Sequence, residues 1–317
     1  MKDYPYIRQL EPPLSAEQLR PLAPCCRVVQ FSNPLSDAEL RQVADFMRGY
    51  PGVSLRVYGH YGNGCNLDFL KFFPFLRQFQ VDVFDLQDMD GLHHLPDNLE
   101  FFGFSQTRSK RFSLAFLSRF RSLRRLYIES HKKDIAVLSE LSSIEELTLR
   151  SITLRDLSLL IPLRHLVSLD LKLGGTKDLS LLPEIGRLRY LELWMIRGLE
   201  DISSVGQVRT LQYLFLQALK HVKSVPSLRD LRLLRRVHLE TMKGLYDLQP
   251  IADAPILEEL LVIDMRHLRP EALRPFVGHR TLRSATVGLG SLKKNAVVDS
   301  MLGLPDVGNL KGGFEYL

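Results

Sequence analysis

The 317-residue sequence has only three cysteines, Cys25, Cys26 and Cys65, and a single tryptophan, Trp194. An odd cysteine count with two of them adjacent is no basis for a disulfide framework. It fits reduced thiols in a cytoplasmic protein. No uninterrupted apolar run approaches the roughly 18 residues that a membrane-spanning helix needs. The opening stretch from Met1 to Leu10 has no apolar core of the kind a secretory signal requires. The expectation is therefore a cytoplasmic chain with no membrane partner.

The motifs of catalysis and cofactor binding are also missing. Residues Tyr58 to Cys65 are glycine-rich, but no Lys-Ser/Thr pair follows and no strand-loop-helix glycine fingerprint surrounds them, so they read as a turn. Cys65 could take His60 as a base, yet a catalytic pair needs a third orienting group, and a half-buried structural thiol is the plainer reading. His93 and His94 are adjacent, whereas metal ligands on turns and helices are spaced three or four residues apart and have cysteine or carboxylate partners. Thr107 to Arg111 is a basic loop with no aromatic interleaving, a poor nucleic-acid motif. No paired carboxylates and no Ser-His-Asp set stand out. The sequence predicts no enzyme, no metal and no cofactor.

What the sequence does have is leucine at a fixed spacing. Leu188, Leu191 and Leu193 occupy relative positions one, four and six, and the pattern returns at Leu166/Leu169/Leu171, Leu211/Leu214/Leu216, Leu234/Val237/Leu239 and Leu257/Leu260/Val262. The first positions run Leu76, Leu99, Leu123, Ile144, Leu166, Leu188, Leu211, Leu234, Leu257 and Leu282, in steps of 21 to 25 residues. A period of this size marks a solenoid. Positions four and six differ by two, so they face the same side of a short strand. One such strand cannot bury its apolar side alone, and stacking the next coil against it makes a continuous core.

Several repeats share a second half: Leu154/Asp156/Leu157/Ser158, Asp178/Leu179/Ser180, Leu199/Asp201/Ile202/Ser203 and Leu245/Asp247/Leu248/Gln249. The apolar members return to the core, and Asp and Ser can cap a short helical turn on the convex side. Pro162, Pro183, Pro226 and Pro255 limit such turns. Over residues 76–290 the pattern resembles the leucine-rich repeat family, in its short, bacterial, internalin-like class. The resemblance implies an α/β solenoid, a right-handed superhelix with a parallel concave β-sheet and short helical or 3-10 convex segments. One departure is plain. The family's ninth-position asparagine is replaced by Ile152, Gly174, Ile196, Leu219, Met242 and Met265, so apolar packing stands in for an asparagine ladder.

Three parts follow: an N-terminal cap over 1–75, the repeat array over 76–290, and a C-terminal cap helix and tail over 291–317. In the first part, Cys26/Val29/Phe31 and Leu55/Val57 read as two degenerate repeats. Ser36 and Glu39 are spaced as a capping box before a helix, and Ser15 could cap a shorter one. In the last part, a helix from Ser291 to Leu302 would place Leu292, Val298 and Leu302 on its apolar side, and residues 311–317 read as a loose tail.

Strand parity names an outward surface at positions three, five and seven. Its aromatic members, Tyr190, Trp194, Tyr213 and Phe215, cluster in two neighbouring repeats. Tyr127 lies further up the array, and Asp170, Glu192, Arg236, His238 and Glu240 would form a polar rim. Binding hot spots favour such aromatics. A second stripe, Arg121, Arg124, Arg125, Arg164, Arg187, Arg189, Arg209, Arg232, Arg235, Arg280 and Arg283, brackets the first leucines and would suit an acidic partner. The net charge of +6 permits nucleic acid, but acidic residues interrupt the concave face, and phosphate binding would be penalised there. The reading is a monomeric, non-enzymatic module that binds a protein partner. By the resemblance it is a bacterial adaptor, a toxin-neutralising protein or an effector delivered to a host cell. The alternatives are nucleic-acid or anionic-surface binding on the arginine edge, or a cryptic enzyme.

Overall fold

Each first-position leucine draws the chain into the core before a strand of four to six residues, and the strands that follow form parallel sheets in chain order. The computed structural model describes residues 5–59, 65–308 and 314–317. The chain divides into two compact units, residues 1–144 and 145–317. Within the N-terminal unit the strands are β1 (Ile7–Leu10), β2 (Val28–Phe31), β3 (Ser54–Gly59), β4 (Gln78–Val83), β5 (Phe101–Phe104) and β6 (Arg125–Glu129). Within the C-terminal unit they are β7 (Glu146–Arg150), β8 (Ser168–Lys172), β9 (Tyr190–Trp194), β10 (Tyr213–Gln217), β11 (Arg236–Glu240), β12 (Glu259–Ile263) and β13 (Ser284–Val287). Every recorded pairing inside a unit is parallel and joins consecutive strands. The register keeps repeat positions aligned, so that Leu191 sits beside Leu169 and Leu214, and Tyr190 beside Tyr213.

Burial follows the spacing. Leu188, Leu191 and Leu193, Leu211, Leu214 and Leu216, and Leu234, Val237 and Leu239 are all fully buried. The convex returns are short 3-10 turns, such as Ser158–Leu160, Leu182–Glu184 and Ser203–Gln207. The aspartates ahead of them accept a hydrogen bond from the backbone N–H two residues on: Asp156 from Ser158, Asp178 from Ser180, Asp201 from Ser203 and Asp247 from Gln249, at 2.8–2.9 Å. The hydroxyls of Ser158 and Ser180 with the backbone N–H groups, and at Asp201 the Ser203 N–H with its hydroxyl, hold the carboxyls of Asp156, Asp178 and Asp201 below the usual carboxylate range.

The missing asparagines have a structural replacement. Ile152, Ile196, Leu219, Met242 and Met265 are buried. The residue before each of them turns the chain in the left-handed region: Ser151, Met195, Ala218, Thr241 and Asp264 have φ between 48° and 54°. Leu173 takes the same turn ahead of Gly174. The N–H groups of these left-handed residues reach the next strand's end. Ser151 donates to the carbonyl of Lys172, Leu173 to Trp194, Met195 to Gln217, Ala218 to Glu240 and Thr241 to Ile263, at 2.7–3.0 Å. A backbone ladder closes the turn that a side-chain amide closes elsewhere.

At the N-terminal end, helix α1 (Asp37–Arg48) begins with the expected box. Glu39 donates its N–H to the Ser36 hydroxyl, and the Glu39 carboxylate accepts from the Ser36 N–H. Val29, Phe31, Leu55 and Val57 are fully buried, as repeat positions four and six require. One expectation there needs correction, and one strand is additional. Ser15 starts no helix. Its carbonyl accepts from Gln18 in an isolated turn, and Pro21 and Pro24 follow too soon for a helix to extend. Strand β1 was not foreseen, because only Leu10 of its four residues is buried. His60 to Gly64 of the glycine-rich segment lie outside the described residues.

At the other end, α2 (Gln249–Ala252) is one convex turn, and α3 (Leu292–Leu302) follows β13. Val298 is fully buried against the last repeat, but Leu292 is 90% exposed. Leu292 is the first residue of α3 and projects before the helix reaches the coil. No helix among the described residues is long and apolar enough to cross a membrane.

Candidate functional site

Tyr190, Tyr213 and Phe215 lie on neighbouring strands, facing away from the leucine core. Tyr190 and Tyr213 pack edge to face with centroids 5.0 Å apart. Phe215 lies flat on His238, 4.0 Å away and 4° from parallel. Trp194 holds the strand end of β9, half-buried, with the Arg150 guanidinium 5.5 Å from its ring centre. Together with Gln217, Arg236, Glu240 and Ile263, the two tyrosines, Phe215 and His238 line a hollow of about 660 Å³. The sequence placed these aromatics outward by parity alone, and they stand there.

Three of the charged residues expected to form an exposed rim around this patch are buried instead. Glu192 is 6% exposed, Arg236 3% and His238 9%. Burial is tolerable because the charges pair. Arg236 forms an ion pair with Glu259 and lays its guanidinium 5.1 Å from the Tyr213 ring centre. Lys172 bridges Glu192 at 2.8 Å and Asp170 at 3.4 Å. Tyr190 donates its hydroxyl to Glu192 at 2.8 Å, and Thr148 donates to Asp170 at 2.8 Å. Glu240 accepts from the Gln217 amide at 2.7 Å. The outcome is a set of paired charges packed beside the aromatic rings.

Burial sets the protonation of these groups. Desolvation pushes Asp170 up to about 7, because the attraction of Lys172 does not offset the loss of water and the nearby Glu192 carboxylate adds to the rise. Desolvation pushes His238 down to about 4, so its ring is neutral at pH 7. Tyr190 and Tyr213 are raised by burial and keep their protons. Fixed, neutral aromatic surfaces beside paired charges suit recognition, since little side-chain freedom remains to be lost on docking.

An occupant was not foreseen. Residues 314–317, read from sequence as part of a loose tail, lie on this face. The Phe314 ring packs on Tyr213 at 5.4 Å, and the guanidiniums of Arg235 and Arg236 stand 5.4 and 5.0 Å from its centre. Arg235 donates to the Glu315 carbonyl at 2.9 Å, and the Leu317 N–H donates to the Gln212 side chain at 2.8 Å. Phe314 and Tyr316 complete the lining of the hollow. The alternation of Phe314 and Tyr316 was the available signal, since it matches the two-residue spacing of an extended segment.

The other sequence candidates fall elsewhere. Tyr127 is on β6 in the N-terminal unit, where its hydroxyl donates to Glu129 at 3.0 Å. Cys65 is buried, and desolvation drives its thiol up to about 12, far from nucleophilic. In the basic loop, Arg108 pairs with Asp85 at 2.7 Å and Arg111 donates to the Gln87 carbonyl. On the arginine edge of the C-terminal unit, Arg235 pairs with Glu258 at 2.9 Å, while Arg164, Arg187, Arg189, Arg209 and Arg232 are exposed.

Parallel strands at a 21- to 25-residue period, 3-10 returns and an apolar coil core define the leucine-rich repeat solenoid, here in its short internalin-like form. Solved structures share it. An internalin of Listeria monocytogenes superposes with a TM-score of 0.56 at 15% identity, over 83% of this chain and 81% of that one. A leucine-rich repeat protein of Leptospira interrogans gives 0.51 at 14% identity, over 89% of each chain. No protein-family model and no curated protein sequence matches the chain.

Proposed function

We propose that the chain is a non-enzymatic protein-binding module that receives a protein partner on the outward face of β8 to β11. The observation that carries this reading is the aromatic hollow of about 660 Å³, built on rigid strands and ringed by Tyr190, Tyr213 and Phe215. Tyr190, Trp194, Tyr213 and Phe215 are the anchors. Asp170, Glu192, Arg236, His238 and Glu240 pack beside them and set the charge that a partner meets. Cytoplasmic adaptors, toxin-neutralising proteins and delivered effectors in bacteria would each use such a face in the same way. Docking on the arginine edge is a weaker reading, because Arg235 and Arg236 are already neutralised by Glu258 and Glu259.

The test is a comparative pull-down with mass spectrometry, using the wild-type chain and a Tyr190→Ala/Trp194→Ala/Phe215→Ala variant. Circular dichroism verifies that both are folded. A protein captured by the wild type and lost by the variant is the expected result. Equal recovery on both baits would remove the aromatic face from the function.

A further inference from the structure

The face that bears the hollow has a resident, and the way it is held describes a ligand. Phe314 and Tyr316 are two residues apart, and both line the hollow. Between and beyond them the contacts go to main chain: Arg235 to the Glu315 carbonyl and Gln212 to the Leu317 N–H. Side chains of β10, β11 and their lead-in residues thus hold the backbone of the segment and pack on the Phe314 ring, and Tyr316 packs on Phe314 in turn with centroids 4.9 Å apart. This is recognition by backbone bonds for affinity and by alternate pockets for specificity.

The resident is shallow. Phe314 is half-buried, but Tyr316 is 44% and Leu317 68% exposed. The hollow measures about 660 Å³ with Phe314 and Tyr316 among its lining, so the segment borders this space and does not fill it. Segments held this way are the ones a competitor displaces, since the bound ring trades one aromatic neighbour for another. The charge around the hollow adds a preference. Arg235 is neutralised by Glu258, but the exposed Arg189, Arg209 and Arg232 lie on the edge that leads into these strands, which favours acidic residues beside the aromatics. The resident sequence Phe314, Glu315, Tyr316, Leu317 has that composition.

We infer that the outward face of β9 to β11 is a receptor for an extended, acidic peptide segment of a protein partner with aromatic residues two apart, and that residues 314–317 hold its seat until it arrives. This rests on the protein-binding reading above and narrows it to one class of partner. The chain's own segment is then a competitor in cis, and emptying the seat strengthens binding in trans.

The experiment uses the full chain and a fluorescein-labelled synthetic peptide of residues 306–317, followed by fluorescence anisotropy. A Phe314→Ala/Tyr316→Ala chain, whose seat is empty, is expected to bind the peptide about tenfold tighter than the wild type, the factor for a site free about a tenth of the time. A peptide of the same composition with its two aromatics adjacent is expected to bind neither chain. Gln212→Ala in the emptied chain, which removes a backbone contact without touching the core, is expected to weaken binding several-fold. Equal binding of the ordered and rearranged peptides, or no binding to the emptied chain, overturns the inference. The pull-down separates that failure from failure of the broader reading: a partner still lost on Tyr190→Ala/Trp194→Ala/Phe215→Ala keeps the face and removes only the peptide. Sedimentation of the wild type checks the remaining occupant. A concentration-dependent dimer abolished by Phe314→Ala/Tyr316→Ala puts a second copy's segment in the seat and overturns the assignment to a different protein.

Discussion

The two units differ in where most of their strand aromatics stand: phenylalanines at inward positions in the N-terminal unit, Tyr190, Tyr213 and Phe215 at outward positions in the C-terminal unit. In the N-terminal unit phenylalanine is core. Phe31, Phe73, Phe79, Phe102, Phe104 and Phe120 are essentially fully buried, and Phe102 alone lies within 6.5 Å of Phe79, Phe104, Phe116 and Phe120, centre to centre. In the C-terminal unit leucine fills the core, and Tyr190, Trp194, Tyr213 and Phe215 stand on the outer face. The difference follows from regularity. From Ile144 to Leu257 the repeats step by 22 or 23 residues, so identical leucine layers fit one another. The N-terminal coils carry longer and less uniform returns, including the twelve-residue α1, and larger rings fill the uneven space. An aromatic residue at an inward strand position therefore means packing and one at an outward position means surface, and strand parity tells the two apart.

The sharpest way to break that comparison is to truncate one ring on each side. Phe102→Ala removes a fully buried ring among four others and should lower stability by about 3–5 kcal/mol. Tyr213→Ala removes a half-buried ring from the outer face and should lower it by about 1 kcal/mol, the scale of a surface aromatic pair. Urea denaturation followed by circular dichroism measures both. A Tyr213 loss as large as the Phe102 loss would make the outer face a second core and withdraw it as a binding surface.

Each unit also buries one histidine flat against a phenylalanine, His131 on Phe104 at 3.8 Å and His238 on Phe215 at 4.0 Å. Burial pushes both rings down to about 4 from 6.5. Above pH 6.5 both folded and unfolded rings are neutral. As the pH falls towards 4 the unfolded ring takes a proton that the folded ring refuses, so stability is lost across that window, by up to ~3 kcal/mol per ring. Titration of the histidine ring protons by NMR should leave both neutral at pH 5.5. A His238 ring that titrates near 6.5 while His131 does not would mean that the outer face is wet.

A pH effect of opposite sign sharpens the same contrast within the C-terminal unit. The Asp170 carboxyl is raised from 3.8 to about 7 by burial. The unfolded group loses its proton as the pH rises past 3.8, and the folded one keeps it until about 7. This contribution to stability is thus full below pH 3.8 and lost as the pH rises through 7. Asp170→Asn should flatten the stability profile between pH 4 and 7, read as the urea midpoint at several pH values. An unchanged slope would show that Lys172 holds the carboxylate ionised. The convex aspartates Asp156, Asp178 and Asp201 work the other way. Their lowered values favour the fold above the ordinary carboxylate range and lose that effect in acid.

Period and parity made much of this legible in the sequence. The leucine positions carry the strands and the core, and the alternation beside Leu191 and Leu214 placed Tyr190 and Tyr213 outward. The capping box at Ser36 and Glu39 and the turns at Asp156, Asp178 and Asp201 are local interactions, and local interactions are what a sequence spells out. The failures are contacts between residues far apart in the chain. Nothing near Arg236 announces that Glu259 and Phe314 will bury it, and nothing near Phe314 announces Tyr213, a hundred residues earlier. Strand β1 escaped because a strand at the end of a stack has little to bury. Cys65 had the opposite fate: the plain reading was a half-buried structural thiol, and the structure buries it fully.

The finest comparison concerns the turn that follows each strand. Counted from the first leucine, the eighth residue is Met195 in one repeat and Gln106 in another. Met195 has φ of 48° and donates to the Gln217 carbonyl at 2.8 Å, whereas Gln106 is not among the described residues with positive φ. A non-glycine side chain in the left-handed region costs roughly 1–2 kcal/mol, and glycine avoids this but adds about 0.4–1 kcal/mol of unfolded-chain entropy. Met195→Gly should therefore be neutral or stabilising by up to ~1 kcal/mol, since the bond it must keep is made by backbone. Thr241→Gly, at φ of 54° with a β-branched side chain, should gain at least as much. Gln106→Gly relieves no strain and should lose about 0.4–1 kcal/mol. Urea midpoints for the three variants decide the matter. A loss at Met195 and Thr241 equal to that at Gln106 would mean that the side chains of the left-handed residues, and not the backbone ladder, close the turns of the C-terminal unit.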